Sequence, residues 1–337
     1  RAFLDQLMPS APPPRMAAAS RWVRWGVALG AAAFLGGMVW LCTRGTDGHW
    51  IYTLDDAYIH IALAKNLAVT GVWGVRPDEY AFCSSSPLWT LLLAGIFRVV
   101  GVHECVPGLL NILFAVLILL RCDVVFRRFG VKPGLRVLFC ALVFFLTPLP
   151  SVVTTGMENT MHAFLVLMLL TSVRTSSILL FAALAGAARF ESLAVVGLMA
   201  VALVCLRRWR LALGVLVAGA VPVLAYGLYA LAHGGFFFPA SVIIKAQPYA
   251  LAGLGALERI IDLQARSLGL QVVLALLVLT FLIRPISPRV RFLMLVVLGG
   301  GIAHLAFAET GARCRYESYL VVSGLVRFEH ADGPQTA

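Results

Sequence analysis

Apolar runs of helical length, separated by clusters of arginine, constrain this chain more than any other feature. Hydrophobic residues make up 61% of its 337 positions, and the mean hydropathy is +0.91. A soluble domain is about 45–50% apolar, so there is more apolar sequence here than a globular core can bury. The expected fold is an all-α polytopic membrane protein, because only helices and closed barrels satisfy their backbone in lipid.

The basic residues set the topology. Arg1, Arg15, Arg21 and Arg24 precede or open the first run, and Arg121, Arg127, Arg128, Lys132 and Arg136 form a second group. Arg174 stands alone; Arg207, Arg208 and Arg210 form a third group, and Arg284, Arg289 and Arg291 a fourth. Cytoplasmic loops collect Lys and Arg. Placing every cluster on that side gives spans near 25–43, 106–120, 137–150, 160–173, 176–188, 192–206, 211–232, 268–283 and 292–308, about nine or more in all. The apolar stretch Leu88–Val100 is too short for a straight crossing of the roughly 20 residues needed. It is expected to lie along the outer face or dip part-way, which keeps the Arg121–Arg136 group inside.

The domain plan follows. Residues 1–24 form a cytoplasmic tail, 25–320 the membrane domain with a long first outer loop over about 44–105, and 321–337 a short C-terminal tail, polar from Arg327 on. The net charge of +11 then reflects orientation in the membrane. Nucleic-acid binding, which needs a basic face on a soluble fold, is excluded as a partner class. The seven Cys show no metal-ligand spacing, while Cys83, Cys105 and Cys314 fall on the outer side, where a disulfide is chemically allowed.

This orientation sorts the acids. Up to residue 320, the cytoplasmic segments carry 16 basic residues and two acids, the outer segments ten basic and twelve acidic residues. Polar chemistry therefore belongs on the outer face. There, Asp55 and Asp56 precede a stretch with Ile59, Leu63 and Leu67 at helical spacing, read as a surface helix. One Asp suffices to cap a helix, so the second is a candidate general base. Ser86 before Pro87 reads as a helix start, or with Ser85 as hydroxyls near a ligand. Glu158 beside Gly156 is either an N-terminal acid suited to the dipole or a carboxylate facing the same site as Asp55. Arg189 and Glu191, in a very short hairpin, pair with each other or with neighbours. Lys245, beyond the aromatic run Phe236–Phe238, is either a snorkelling lysine or a cation for a lipid phosphate. Arg313 and Arg315 lie outside against the positive-inside trend and so call for an acidic partner or an anionic ligand.

Taken in order, Leu54-Asp-Asp-Ala-Tyr-Ile-His-Ile-Ala-Leu-Ala-Lys-Asn-Leu67, Ser84-Ser-Ser-Pro-Leu-Trp-Thr-Leu-Leu-Leu93, Thr155-Gly-Met-Glu-Asn-Thr160, Ala188-Arg-Phe-Glu191, Phe238-Pro-Ala-Ser241 with Lys245, and Arg315-Tyr-Glu317 resemble the motifs of polyprenyl-phosphate-dependent glycosyltransferases of the GT-C type. The resemblance is to the branch of bacterial arabinofuranosyltransferases and mannosyltransferase-like proteins. It implies a GT-C-like helical bundle in a bacterial plasma membrane, with its active site on the outer face. It implies transfer of a sugar, with inversion, from a polyprenyl-phosphate donor to an envelope glycan, lipid or protein acceptor.

Asp55 or Asp56 matches the family's base, and Asp55 is the favoured one. The leaving phosphate develops negative charge and calls for a nearby cation, for which Lys245, Arg313 and Arg315 are the candidates. His60, Ser85, Ser86, Glu158, Arg189, Glu191 and Glu317 complete the substrate-binding set that the resemblance implies. Relatives differ in metal dependence, so a divalent cation stays open, with Asp55 and Asp56 as its ligands. Phe190 stands where many relatives have Pro, and Asn159 where a Thr is commoner. Relatives also continue with further spans past the Arg-Tyr-Glu segment, so the ending here reads as shortened. Two other classes compete: a membrane transporter, disfavoured by the lack of a half-repeat, and a non-catalytic polyprenyl-lipid-binding assembly protein, which needs no Asp pair.

Overall fold

A computed structural model describes residues 14–239 and 318–328, with short helical pieces at 275, 277–279, 294–299 and 301. Helices carry the fold, and among the described residues the only β-pairing is an isolated bridge between Arg76 and Glu79. Ten helices run through residues 14–239: α1 (Pro14–Arg44), α2 (Asp56–Thr70), α3 (Pro87–Val100), α4 (Val106–Arg128), α5 (Pro133–Leu146), α6 (Leu149–Val153), α7 (Asn159–Thr171), α8 (Thr175–Ala188), α9 (Ser192–Cys205) and α10 (Trp209–Ala232). A further helix spans Ser318–Phe328.

Among the described residues, three segments are long and apolar enough to cross a membrane: Arg21–Arg44, Val106–Arg128 and Trp209–Ala232. At 1.5 Å per residue, α10 reaches about 36 Å, against a hydrocarbon core of about 30 Å. It is apolar on both sides. Ala212, Val215, Val223 and Ala230 pack inward, while Leu213, Leu216, Val217, Leu224, Leu228 and Leu231 are exposed. A helix in water keeps a polar outer face; one that keeps none is suited to lipid.

Several expected boundaries shift. The N-terminal tail drawn to residue 24 is already helical from Pro14. The span drawn at 106–120 continues to Arg128, because nothing breaks the helix before Gly130, at φ 75°, and Pro133. Arg121, Arg127 and Arg128 thus sit on the helix rather than in a loop; basic groups suit its C-terminal end. The span drawn at 137–150 is split into α5 and the short α6 at Thr147-Pro148, where Pro148 cannot donate a backbone hydrogen bond. The tail drawn from 321 is part of the helix Ser318–Phe328, whose Tyr319, Leu320, Val321 and Val322 are buried.

The long segment between α1 and α4 begins and ends at one place. His49 Nδ1 and the Trp50 N–H both meet Glu104 Oε1, at 3.2 and 3.0 Å. Tyr52 Oη donates to the Glu104 carbonyl and accepts from the Gly108 N–H at 3.0 Å. The exit of α1 therefore adjoins the entry of α4, and the segment between them leaves and returns on the same side. Within it, α2 and α3 run side by side in the same direction. His60 and Ser84 meet near their starts, and Arg98 donates to the Ala68 carbonyl near their ends.

The expected helix over 56–67 is present as α2, closed by Gly71 at φ 77°. Of its expected apolar residues, Leu63 is buried and Leu67 packs against the core. Ala57, His60, Leu63, Ala64 and Ala68 face inward, whereas Ile59 is exposed. The small alanines allow α3 to pack closely, and His60 turns toward the site described below.

Candidate functional site

The site lies at the end of the bundle where α1 exits and α4 enters. Thr53 N donates to the Thr154 carbonyl at 3.1 Å, which ties the approach to α2 to the turn before α7. Gly156 in that turn has φ 67° and lies against the Tyr52 ring; a Cβ there would collide with it. Two constraints thus require glycine at this position. The turn delivers Glu158 at the start of α7, and the tight turn between α8 and α9 delivers Arg189 and Glu191.

These side chains form one buried network. Arg189 Nη1 donates to Glu158 Oε1 at 2.7 Å and to Asn159 Oδ1 at 3.1 Å. Its Nη2 and Nε donate to the two Glu191 carboxylate oxygens at 2.7 and 3.2 Å, a bidentate pair. The second Glu158 oxygen faces His60 Nε2 at 3.7 Å. His60 Nδ1 lies 3.4 Å from Ser84 Oγ, which is 3.1 Å from Thr90 Oγ1 and accepts from the Ser86 N–H. Glu158 is fully buried, and His60 and Arg189 are nearly so. Glu158 occupies the N-cap position of α7 but makes no capping bond, and its carboxylate serves the network of Arg189 and His60. Arg189 bridges both acids rather than pairing with Glu191 alone.

Burial dominates the electrostatics of His60, disfavouring the imidazolium and holding its pKa below the usual 6.5 against the pull of Glu158 and Asp56. Burial alone would push the Glu191 carboxyl up. The charge and hydrogen bonds of Arg189 override it and hold the group at about 2, against 4.5 ordinarily.

The aspartate pair divides its work. Asp55 stands at the N-cap position of α2, is exposed, and accepts from the Asp56 N–H at 3.0 Å. Asp56 is half-buried, one turn before His60 on the same helix face, and its charge acts on that imidazole. The residue favoured as base from sequence is thus the more exposed one at the helix start, and Asp56 is the one whose charge reaches His60.

Of the expected hydroxyls, Ser86 begins α3 with Pro87 in the first turn, as expected, but its side chain makes no capping bond. Ser85 is half-buried, and the described contacts give it no part in the network. Ser84 and Thr90 supply the hydroxyls instead. Ser84 belongs to the serine run read from sequence as hydroxyls near a ligand, whereas Thr90, one helical turn after Ser86, was not singled out. His162 and Ser192, joined at 2.7 Å beneath Glu191, were missed as well. Phe238 packs edge-on against Phe190 in the turn holding Arg189, so the aromatic run before Lys245 borders the site. Lys245, Arg313, Arg315, Glu317 and Cys314 lie outside the described residues. Cys83 and Cys105 are both free thiols.

Among the described residues, no three His, Cys, Asp or Glu side chains gather as metal ligands. A cation held by Asp55 and Asp56 would have to complete its shell with water and a substrate's phosphate oxygens, a manner in which Mg²⁺ commonly binds. Comparison with protein-family models, with curated proteins and with solved structures returns no match.

Proposed function

We propose that this chain is an integral membrane glycosyltransferase that moves a sugar from a polyprenyl-phosphate donor to an envelope acceptor at the outer face. The observation that carries the reading is the aspartate pair at the start of α2, set against the buried His60–Glu158–Arg189–Glu191 network at one end of an apolar bundle. In this reading about nine spans of GT-C type hold the site at the outer leaflet. Asp56 accepts the proton of the acceptor hydroxyl. The hydroxyl oxygen attacks the anomeric carbon from the face opposite the phosphate and inverts it. The bond to the phosphate oxygen breaks, and polyprenyl phosphate leaves with the electron pair.

Negative charge growing on that oxygen needs a nearby cation. Arg189 already balances two carboxylates, so its role is to hold the site's shape. Lys245, Arg313 and Arg315 take the leaving phosphate. Mass spectrometry of envelope glycans from cells with and without the protein tests the reading. It expects one sugar lost from a defined glycan, restored by the wild type and not by Asp56→Asn. Unchanged glycans on removal of the protein would count against it.

A further inference from the structure

Three buried polar atoms at the site have no hydrogen-bond partner among the described residues: Ser86 Oγ, Asn159 Nδ2 and Glu158 Oε2. Their residues are at most 1% exposed. A buried polar atom left unpaired destabilises a fold, and native structures hold few of them. Ser86 has an ordinary use at hand and does not take it: it stands at the N-cap of α3, yet its hydroxyl caps nothing. Asn159 is held by its other atom, since Oδ1 accepts from Arg189 Nη1 at 3.1 Å and leaves Nδ2 unused. Glu158 is held through Oε1, and its Oε2 lies 3.7 Å from His60 Nε2, beyond hydrogen-bond range.

The three gather around His60. One ring nitrogen faces Glu158 Oε2; the other faces Ser84 Oγ, which accepts from the Ser86 N–H. Asn159 follows Glu158 and shares Arg189 with it. Half-buried Asp56, Ser85 and Glu191 form the rim, so the surface is close at hand. The set is chemically mixed: Asn159 Nδ2 donates, Glu158 Oε2 accepts, and Ser86 Oγ does either. A carboxylate or phosphate ligand offers acceptors only and would meet Glu158 and Asp56 with like charge. A hydroxyl both donates and accepts, so hydroxyls match all three.

We infer that Ser86, Asn159 and Glu158 bind ring hydroxyls of the sugar that is transferred, and that this sugar is uncharged. The inference rests on the glycosyltransferase reading and narrows it to a class of donor: a neutral sugar with free hydroxyls, not a uronate. Arg189 orients two of the three groups, and the start of α3 presents the third. Stability is lost in the free protein by keeping these atoms unpaired, and the sugar restores their hydrogen bonds.

The test uses membranes carrying the full chain, supplied with a mixed extract of polyprenyl-phosphate sugars to which polyprenyl-phosphate glucuronate is added. Mass spectrometry reads which donors are consumed. Neutral donors are expected to be consumed and the glucuronate spared. Ser86→Ala removes a hydroxyl that the fold leaves unpaired, so its unfolding temperature should equal or exceed that of the wild type. Its KM for the consumed donor should rise about tenfold with kcat nearly unchanged. A wild-type KM in folded Ser86→Ala would overturn the inference while leaving the transfer reaction standing. Consumption of the glucuronate as fast as the neutral donors would do the same, even where the variant fails to fold. No consumption of any donor by the wild type would instead remove the glycosyltransferase reading, and the inference with it.

Discussion

At the scale of single residues, the site is governed by burial. Glu158 has no access to water, and Arg189 is the group that compensates it. Removing one partner of such a pair leaves an uncompensated charge, which is why these residues hold the site together as well as shaping it. His60 adds a pH dependence whose sign follows from its depressed pKa. The unfolded chain binds a proton below about pH 6.5, whereas folded His60 resists it, so acidification through 6.5 destabilises the fold. Glu191, held at about 2, acts in the same direction at lower pH. Its stabilisation is complete above 4.5 and is lost as the pH falls toward 2. Thermal unfolding in detergent should therefore fall between pH 7 and 5, by at most about 1.4 kcal/mol per pH unit from His60. His60→Gln should flatten that interval and leave the loss below pH 4.5. Some of these residues were legible in the sequence because charges are rare in it. Asp55, Asp56, Glu158, Arg189 and Glu191 stand out as acids and bases in apolar surroundings. Thr90 and Ser192 did not, because a hydroxyl on an apolar helix is usually satisfied by its own backbone.

At the scale of helices, close approach depends on small side chains. Gly186 of α8 lies against the Gly219 carbonyl of α10, and a Cβ on Gly186 would overlap it; Val196 of α9 crowds Gly219. Lipid offers no hydrophobic drive between helices, so packing of small residues supplies much of their association. Gly186→Leu should separate α8 from α10 and destabilise the protein by about 1–3 kcal/mol or more, measured as a lower unfolding temperature in detergent. Such contacts are set by how two helices cross, which a hydropathy pattern does not encode. The same limit explains the boundary errors. The pattern finds apolar runs, but helix ends follow the breakers, and α4 runs past three arginines to Gly130. On α2 the expected Leu63 is buried, but packing selects the alanines and His60 over Ile59.

At the scale of the molecule, the bundle has two chemically different ends. One gathers the aspartate pair and the buried acid–base network, and the other gathers arginines around Asp123. The acids and arginines that the sequence reading assigned to opposite sides thus gather at opposite ends of the bundle. Two exposed cysteines report on them, since Cys42 lies in the last turn of α1 at the site end and Cys205 ends α9 at the other. In intact cells, a membrane-impermeant maleimide should label a variant keeping only Cys42 and spare one keeping only Cys205. Labelling of both, or of Cys205 alone, would reverse or abolish the proposed orientation.

The central claim is that a carboxylate at the start of α2 activates an acceptor for sugar transfer. Its most direct test is release of free polyprenyl phosphate from membranes supplied with a mixed extract of polyprenyl-phosphate sugars, followed by mass spectrometry. The account predicts release that depends on the wild-type protein and falls about 10²–10⁴-fold in Asp56→Asn, with the variant present at normal level and unfolding temperature. Asp55→Asn should fall less. Undiminished release by both folded variants, or no release by the wild type from any donor in the mixture, would contradict it.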